Sequence, residues 1–108
     1  MRFFCSLLTL ILISSNSVIA NANNRIFVTN ERSNTVSVID AKSLSIEATI
    51  EVGVRPRGIG LSPNGSELYI AVSEENKIVV MDPNSLEILR DFKAGSDPET
   101  FAVHPNGN

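Results

Sequence analysis

Two arginines flank a proline in Val54-Arg55-Pro56-Arg57, an arrangement whose paired guanidinium groups could hold a carboxylate or a phosphate. The same proline returns later as Asp97-Pro98-Glu99, with acids where the arginines stood. These four charged residues, Arg55, Arg57, Asp97 and Glu99, are the first candidates for a site. The fifth is His104, the one histidine in the chain. A single histidine with no converging partner is read as a turn-capping side chain rather than as a metal ligand or general base.

Other polar residues recur without forming a chemical constellation. Asp40 and Asp82 each close a strand-like run before a turn, where a carboxylate bonds turn amides; no calcium-loop spacing surrounds them. Asn34 and Asn76 fall in turns that favour their tolerance of left-handed backbone. Asn64-Gly65-Ser66 spells a glycosylation acceptor and is read here as a hairpin turn. No phosphate-binding glycine loop, nucleophile elbow or metal pair is present in the sequence. The expectation is therefore no catalytic, cofactor-binding or metal-binding residue.

The chain has 108 residues and a formal charge of −3, enough for one small domain. Its charges are scattered, and no basic stripe points to nucleic acid. Met1-Arg2, the apolar run Phe3 to Ile13 and the small-residue site Ala20-Asn21-Ala22 have the form of a secretory leader ending at residue 22. The apolar run is too short to span a bilayer, so no membrane association is expected once the leader is removed. Cleavage would remove Cys5, the only cysteine, and take the charge to −4. A periplasmic or secreted location follows, without disulfides.

What must position the charged residues is a repeat. Residues 26–66 align without a gap on residues 68–108, an offset of 42, and eleven of the 41 pairs are identical. Unrelated segments would share roughly two or three. The identical pairs include Asn34/Asn76, Val38/Val80, Asp40/Asp82, Leu44/Leu86, Gly53/Gly95, Pro56/Pro98 and Asn64/Asn106. A period in the low forties with period-two apolar alternation is that of a β-propeller blade. Strands are expected over 57–62, 67–73, 77–82 and 86–92, one complete blade. Residues 25–30, 35–40 and 46–52 would supply three strands of an earlier blade, and 99–104 the innermost strand of a later one. The expected division is a leader at 1–22, a partial blade at 23–56, a complete blade at 57–98 and a truncated third at 99–108.

The stretches Phe27-Val28-Thr29-Asn30 and "RPRGIGLSPNGSELYIAV" resemble the YVTN family of β-propeller repeats. The succession RPRGI, LSPNG, DPE and FAVHPNG is similar to secreted propellers associated with pyrroloquinoline-quinone-dependent alcohol catabolism. That resemblance implies an all-β ring of about seven four-stranded blades, of which about two are present here. It implies an N-terminal part of a longer propeller, or, alternatively, several copies assembling a ring. It also implies a non-catalytic binding or scaffold module whose channel meets a protein partner or small ligand. The alternative is part of a propeller enzyme, lactonase-like or haem d1-bearing, with its catalytic groups in other blades. Within the ring, Arg55 is expected to pair with Asp97 and Arg57 with Glu99 across adjacent blades.

Overall fold

The computed structural model describes residues 18–20, as backbone only, and 24–107. They form two antiparallel four-stranded sheets, and the fold is all-β. Sheet one has the order β1 (Val18–Ala20), β2 (Arg25–Asn30), β3 (Thr35–Asp40) and β4 (Ile46–Glu51). Sheet two has the order β5 (Pro56–Leu61), β6 (Leu68–Val72), β7 (Lys77–Met81) and β8 (Ile88–Lys93). Neighbouring strands follow chain order in each, and the described connections between β2, β3 and β4 and between β5, β6, β7 and β8 are turns rich in Asn, Asp, Ser or Gly.

The 42-residue repeat is carried down to individual backbone angles. Leu44 and Leu86 both take positive φ, 60° and 66°, a conformation that costs a Cβ-bearing residue and persists only where its surroundings enforce it. The enforcement is the preceding aspartate. Asp40 accepts from the amides of Lys42 and Ser43, and Asp82 from those of Asn84 and Ser85, at 2.8 to 3.2 Å. The Leu44 and Leu86 amides in turn donate to the Asp40 and Asp82 carbonyls at 2.8 Å. A register shift follows at Val38/Ile39 in one sheet and at Val80/Met81 in the other.

The core lies between the sheets. Phe27, Val36 and Val38 of sheet one meet Leu68, Ile70, Val72, Val79 and Met81 of sheet two, with Val52 between them. Most of these side chains are fully buried, and each contributes about 1.5–3 kcal/mol from burial. Alternation explains the choice: in register, Ile59 faces Ile70 and Leu61 faces Leu68, so β5 and β6 turn the same apolar face to sheet one. Two polar pins cross the seam. Thr29 Oγ1 donates to the Arg57 carbonyl at 2.8 Å, and Arg25 Nη1 donates to the carbonyls of Pro83 and Asn84 at 3.0 and 2.9 Å.

The structure differs from expectation at both ends. Sheet one carries a fourth strand, Val18–Ala20, inside the stretch assigned to the leader; the remainder of that stretch lies outside the described residues. Its backbone pairs with the inner edge of β2, where the partial blade was expected to be open. Residues 99–104, expected to be a strand, form none, because no described strand lies beside them to complete a ladder. Instead the Gly58 amide holds the segment through the Glu99 carbonyl at 2.9 Å.

Candidate functional site

The five candidate residues fall in two places. Arg55, Arg57, Asp97 and Glu99 gather where the chain turns into β5 and into the segment that follows β8, and His104 sits at the far end of that segment. What brings the first group together is a device used twice. Asn34, at φ 64°, turns its side-chain oxygen onto the Arg55 amide at 3.0 Å. Asn76, at φ 53°, does the same to the Asp97 amide at 2.9 Å. The same asparagines accept through their main-chain carbonyls from Val52 and Ala94, at 3.2 and 3.0 Å. Arg55 and Asp97 are thereby held in left-handed backbone, φ 64° and 46°. The asparagine does more than tolerate its own turn; it fixes the turn into the next blade.

The charges then sort into a network. Arg57 pairs with Glu99, as the repeat alignment suggested, and its Nε also lies 3.8 Å from Glu31 Oε1. Arg55 does not pair with Asp97. Its Nε donates to Glu31 Oε1 at 2.8 Å and its Nη1 lies 3.4 Å from Glu74 Oε1. The β2–β3 and β6–β7 turns carry Glu31 and Glu74 up beside Arg55, and these carboxylates take its guanidinium instead. Asp97 reaches Arg55 only through its field.

The hydrogen bond from Arg55 is the main cause holding the Glu31 carboxyl below its usual range, assisted by the fields of Arg57, Arg55 and Arg32. The same bond raises Arg55 above its ordinary value. Nearby, Lys77 is also raised: burial pulls it down, but Asp91 and Glu75, each 3.4 Å away, outweigh that. Glu75 also accepts from the Val54 amide at 2.6 Å, tying the 3-10 turn Ser73–Glu75 to the start of β5. The two arginines are thus met by three glutamates within the chain. Exposed pairs of this kind contribute about 0–1 kcal/mol each.

Glu31 and Glu74 were not legible from the repeat. Their counterparts at the 42-residue offset are Ser73 and Arg32, so alignment hides them. The available signal was an acid in each turn that a propeller would bring to the same end as the β5 entrance.

His104 caps a turn. Its Nδ1 lies 2.6 Å from Asn106 Oδ1 and 3.3 Å from the Asn106 amide. Its counterpart Ser62 does the equivalent work, donating to Asn64 Oδ1 at 2.8 Å and accepting from the Glu67 amide at 3.0 Å. Asn64 also accepts from the amide and hydroxyl of Ser66, so the acceptor-like triplet Asn64-Gly65-Ser66 is occupied by its own hairpin. Beside His104 an open groove of about 340 Å³ runs over the outer face of sheet two, lined by Tyr69, Ile78, Phe92, Phe101 and Val103 among others. Among the described residues no group of three or more His, Cys, Asp or Glu is placed to hold a metal ion.

No family model matches the sequence, and no curated protein matches it. Solved structures do. The chain is similar to Kuenenia stuttgartiensis hydrazine synthase, with a TM-score of 0.73 at 23% identity over 79% of this chain and 24% of that one. It is similar to the dihydro-heme d1 dehydrogenase NirN, with a TM-score of 0.70 at 21% identity over 83% of this chain and 19% of that one. Apo AztD from Citrobacter koseri matches with a TM-score of 0.67 at 19% identity, over 78% and 24%. These neighbours are β-propeller proteins, and the fold of this chain is of the propeller type. The chain spans about a quarter or less of the length of each.

Proposed function

We propose that this chain is a YVTN-type propeller module of the periplasm that binds rather than catalyses, accessory to pyrroloquinoline-quinone-dependent alcohol oxidation. The observation that carries a binding role is how the repeated polar side chains are used. Asn34 and Asn76 hold the turns into successive blades, and Asp40 and Asp82 hold the outer hairpins. Arg55 and Arg57 are met by Glu31, Glu74 and Glu99. Such groups supply architecture and a charged rim on which a protein partner or small ligand can be recognised. The periplasmic location rests on the leader-like first 22 residues.

The test is expression of the tagged full-length gene product in its own host during growth on an alcohol. The expected result is periplasmic recovery, cleavage after Ala22 by intact mass, and co-purification with a quinoprotein alcohol dehydrogenase. Retention in the cytoplasm, or turnover of lactones by the purified protein, would overturn this reading in favour of the enzyme alternative.

A further inference from the structure

Asp-Pro occurs twice in the chain, as Asp82-Pro83 and Asp97-Pro98. Such a bond is labile in acid, because the aspartate carboxyl can close a ring onto its own carbonyl carbon while the tertiary amide nitrogen of proline accepts a proton and leaves. The fold treats the two bonds differently. Asp82 is locked into the β7–β8 hairpin: its carboxylate accepts from the Asn84 and Ser85 amides at 2.8 and 3.2 Å, its carbonyl accepts from the Leu86 amide at 2.8 Å and its amide donates to the Glu87 carbonyl at 2.9 Å. Pro83 is fully buried, and its carbonyl accepts from Arg25 Nη1 at 3.0 Å. A carboxyl held in this way reaches its own carbonyl carbon only when the hairpin opens.

Asp97 is exposed and stands in left-handed backbone, φ 46°, which is strained for a residue with a Cβ. Two restraints hold it there. Before the bond, Asn76 Oδ1 accepts from the Asp97 amide at 2.9 Å; after it, the Glu99 carbonyl accepts from the Gly58 amide at 2.9 Å. Among the described residues no donor holds the Asp97 carboxyl, and the charged group facing it across the turn is Arg55, which acts through its field. Cutting the chain between the two restraints lets Asp97 relax. The strain therefore lowers the barrier at Asp97-Pro98 and has no counterpart at Asp82, which is not left-handed.

We propose that Asp97-Pro98 is a self-cleavage site, opened by the chain's own carboxyl in acid. The Asp97 carboxyl oxygen attacks the Asp97 carbonyl carbon, and its proton passes through solvent to the Pro98 nitrogen. The bond from carbon to that nitrogen breaks, leaving a cyclic anhydride on Asp97 and a secondary amine on Pro98. Water then opens the anhydride to the two carboxyl groups of a C-terminal aspartate. The cut falls at a blade boundary, and the segment beyond it keeps its contacts with sheet two. Glu99 pairs with Arg57, and the Phe101 ring meets Tyr69 edge-on with centroids 6.4 Å apart. Gly58 admits the backbone so closely that a Cβ there would lie 2.9 Å from the Glu99 oxygen.

The folded full chain is held at about pH 4, where side-chain carboxyls begin to protonate, and its fragments are read by intact mass while circular dichroism follows the strands. Cleavage after Asp97 is expected about tenfold or more ahead of cleavage after Asp82, the ratio that relief of such backbone strain yields. In the urea-unfolded chain the two bonds should be cut at comparable rates, which gives the internal reference. Asp97→Asn keeps a residue suited to left-handed backbone but removes the acid, so it should abolish cleavage at that bond and leave the bond after Asp82 unchanged. Asn76→Ala should draw the preference toward the unfolded ratio; if that variant does not fold, Asp97→Asn carries the test. Equal rates in the folded chain, faster cleavage after Asp82, no cleavage of the folded chain under conditions that cut the unfolded one, or cleavage after residue 97 that survives Asp97→Asn overturns the proposal.

Discussion

Phe27 is the residue on which the seam between the sheets turns, and it permits a comparison at constant chemistry. It is fully buried, whereas Phe92, on the outer face of sheet two, is 50% exposed. Truncating Phe27 to alanine loses the burial of a whole aromatic ring and leaves a cavity between two sheets pinned by Thr29 and Arg25, which restricts collapse. The expected cost is about 3–5 kcal/mol. Truncating Phe92 loses about half of the 1.5–3 kcal/mol that burying the ring is worth and leaves no enclosed void, so about 1 kcal/mol is expected. Urea unfolding followed by far-ultraviolet circular dichroism, at a concentration low enough to keep the chain single, reads both. With a slope of about 1 kcal/mol per molar for a protein this small, the Phe27→Ala midpoint falls by about 3 M or more and that of Phe92→Ala by about 1 M. Equal shifts, or the larger shift at Phe92, would refute the placement of the core.

Three further outcomes follow from the repeated turns and charges. Asn34→Ala loses both the bond to the Arg55 amide and the preference for positive φ, and should cost about 2–3 kcal/mol; Asn34→Gly keeps the φ and should cost about 1 kcal/mol in the same urea assay. Gly58→Val should release residues 99–104 from sheet two while leaving the inner sheets intact, seen as faster exchange of the Gly58-equivalent amide bond by hydrogen exchange and loss of the Tyr69–Phe101 ring contact by NMR; retention of that contact would refute the close approach. Glu31 and Asp40 have folded-state values lowered, the first by Arg55 and the second by the Ser43 and Lys42 amides. Their stabilisation is therefore present above the usual carboxylate range and lost as pH falls through the lowered values. Stability should drop below pH 4 more steeply in the native chain than in Glu31→Gln, measured by thermal melts across pH.

The strands and turns were legible because their determinants are local and occur twice. Apolar residues define β2, β3, β6 and β7, and turn residues delimit them: Asn34 before β3, Asp40 at its end, Asn64-Gly65 before β6 and Asp82-Pro83-Asn84 after β7. Arg57 with Glu99 was legible for the same reason, since both stand at one repeat position. Arg55 was not, because its partners Glu31 and Glu74 come from turns that the repeat alignment matches to Ser73 and Arg32. The strand at Val18–Ala20 was hidden by a stretch whose composition reads as a leader, although its pairing register with β2 is that of β5 with β6. Residues 99–104 carry the alternation of a strand, but a ladder needs a neighbour, which alternation alone does not supply.

The most direct test of two blades sharing one core is a set of nuclear Overhauser effects from the Phe27 ring in the folded chain. The account predicts contacts to the methyl groups of the sheet-two cluster formed by Leu68, Ile70 and Met81. A Phe27 ring that shows effects only to sheet one would contradict it.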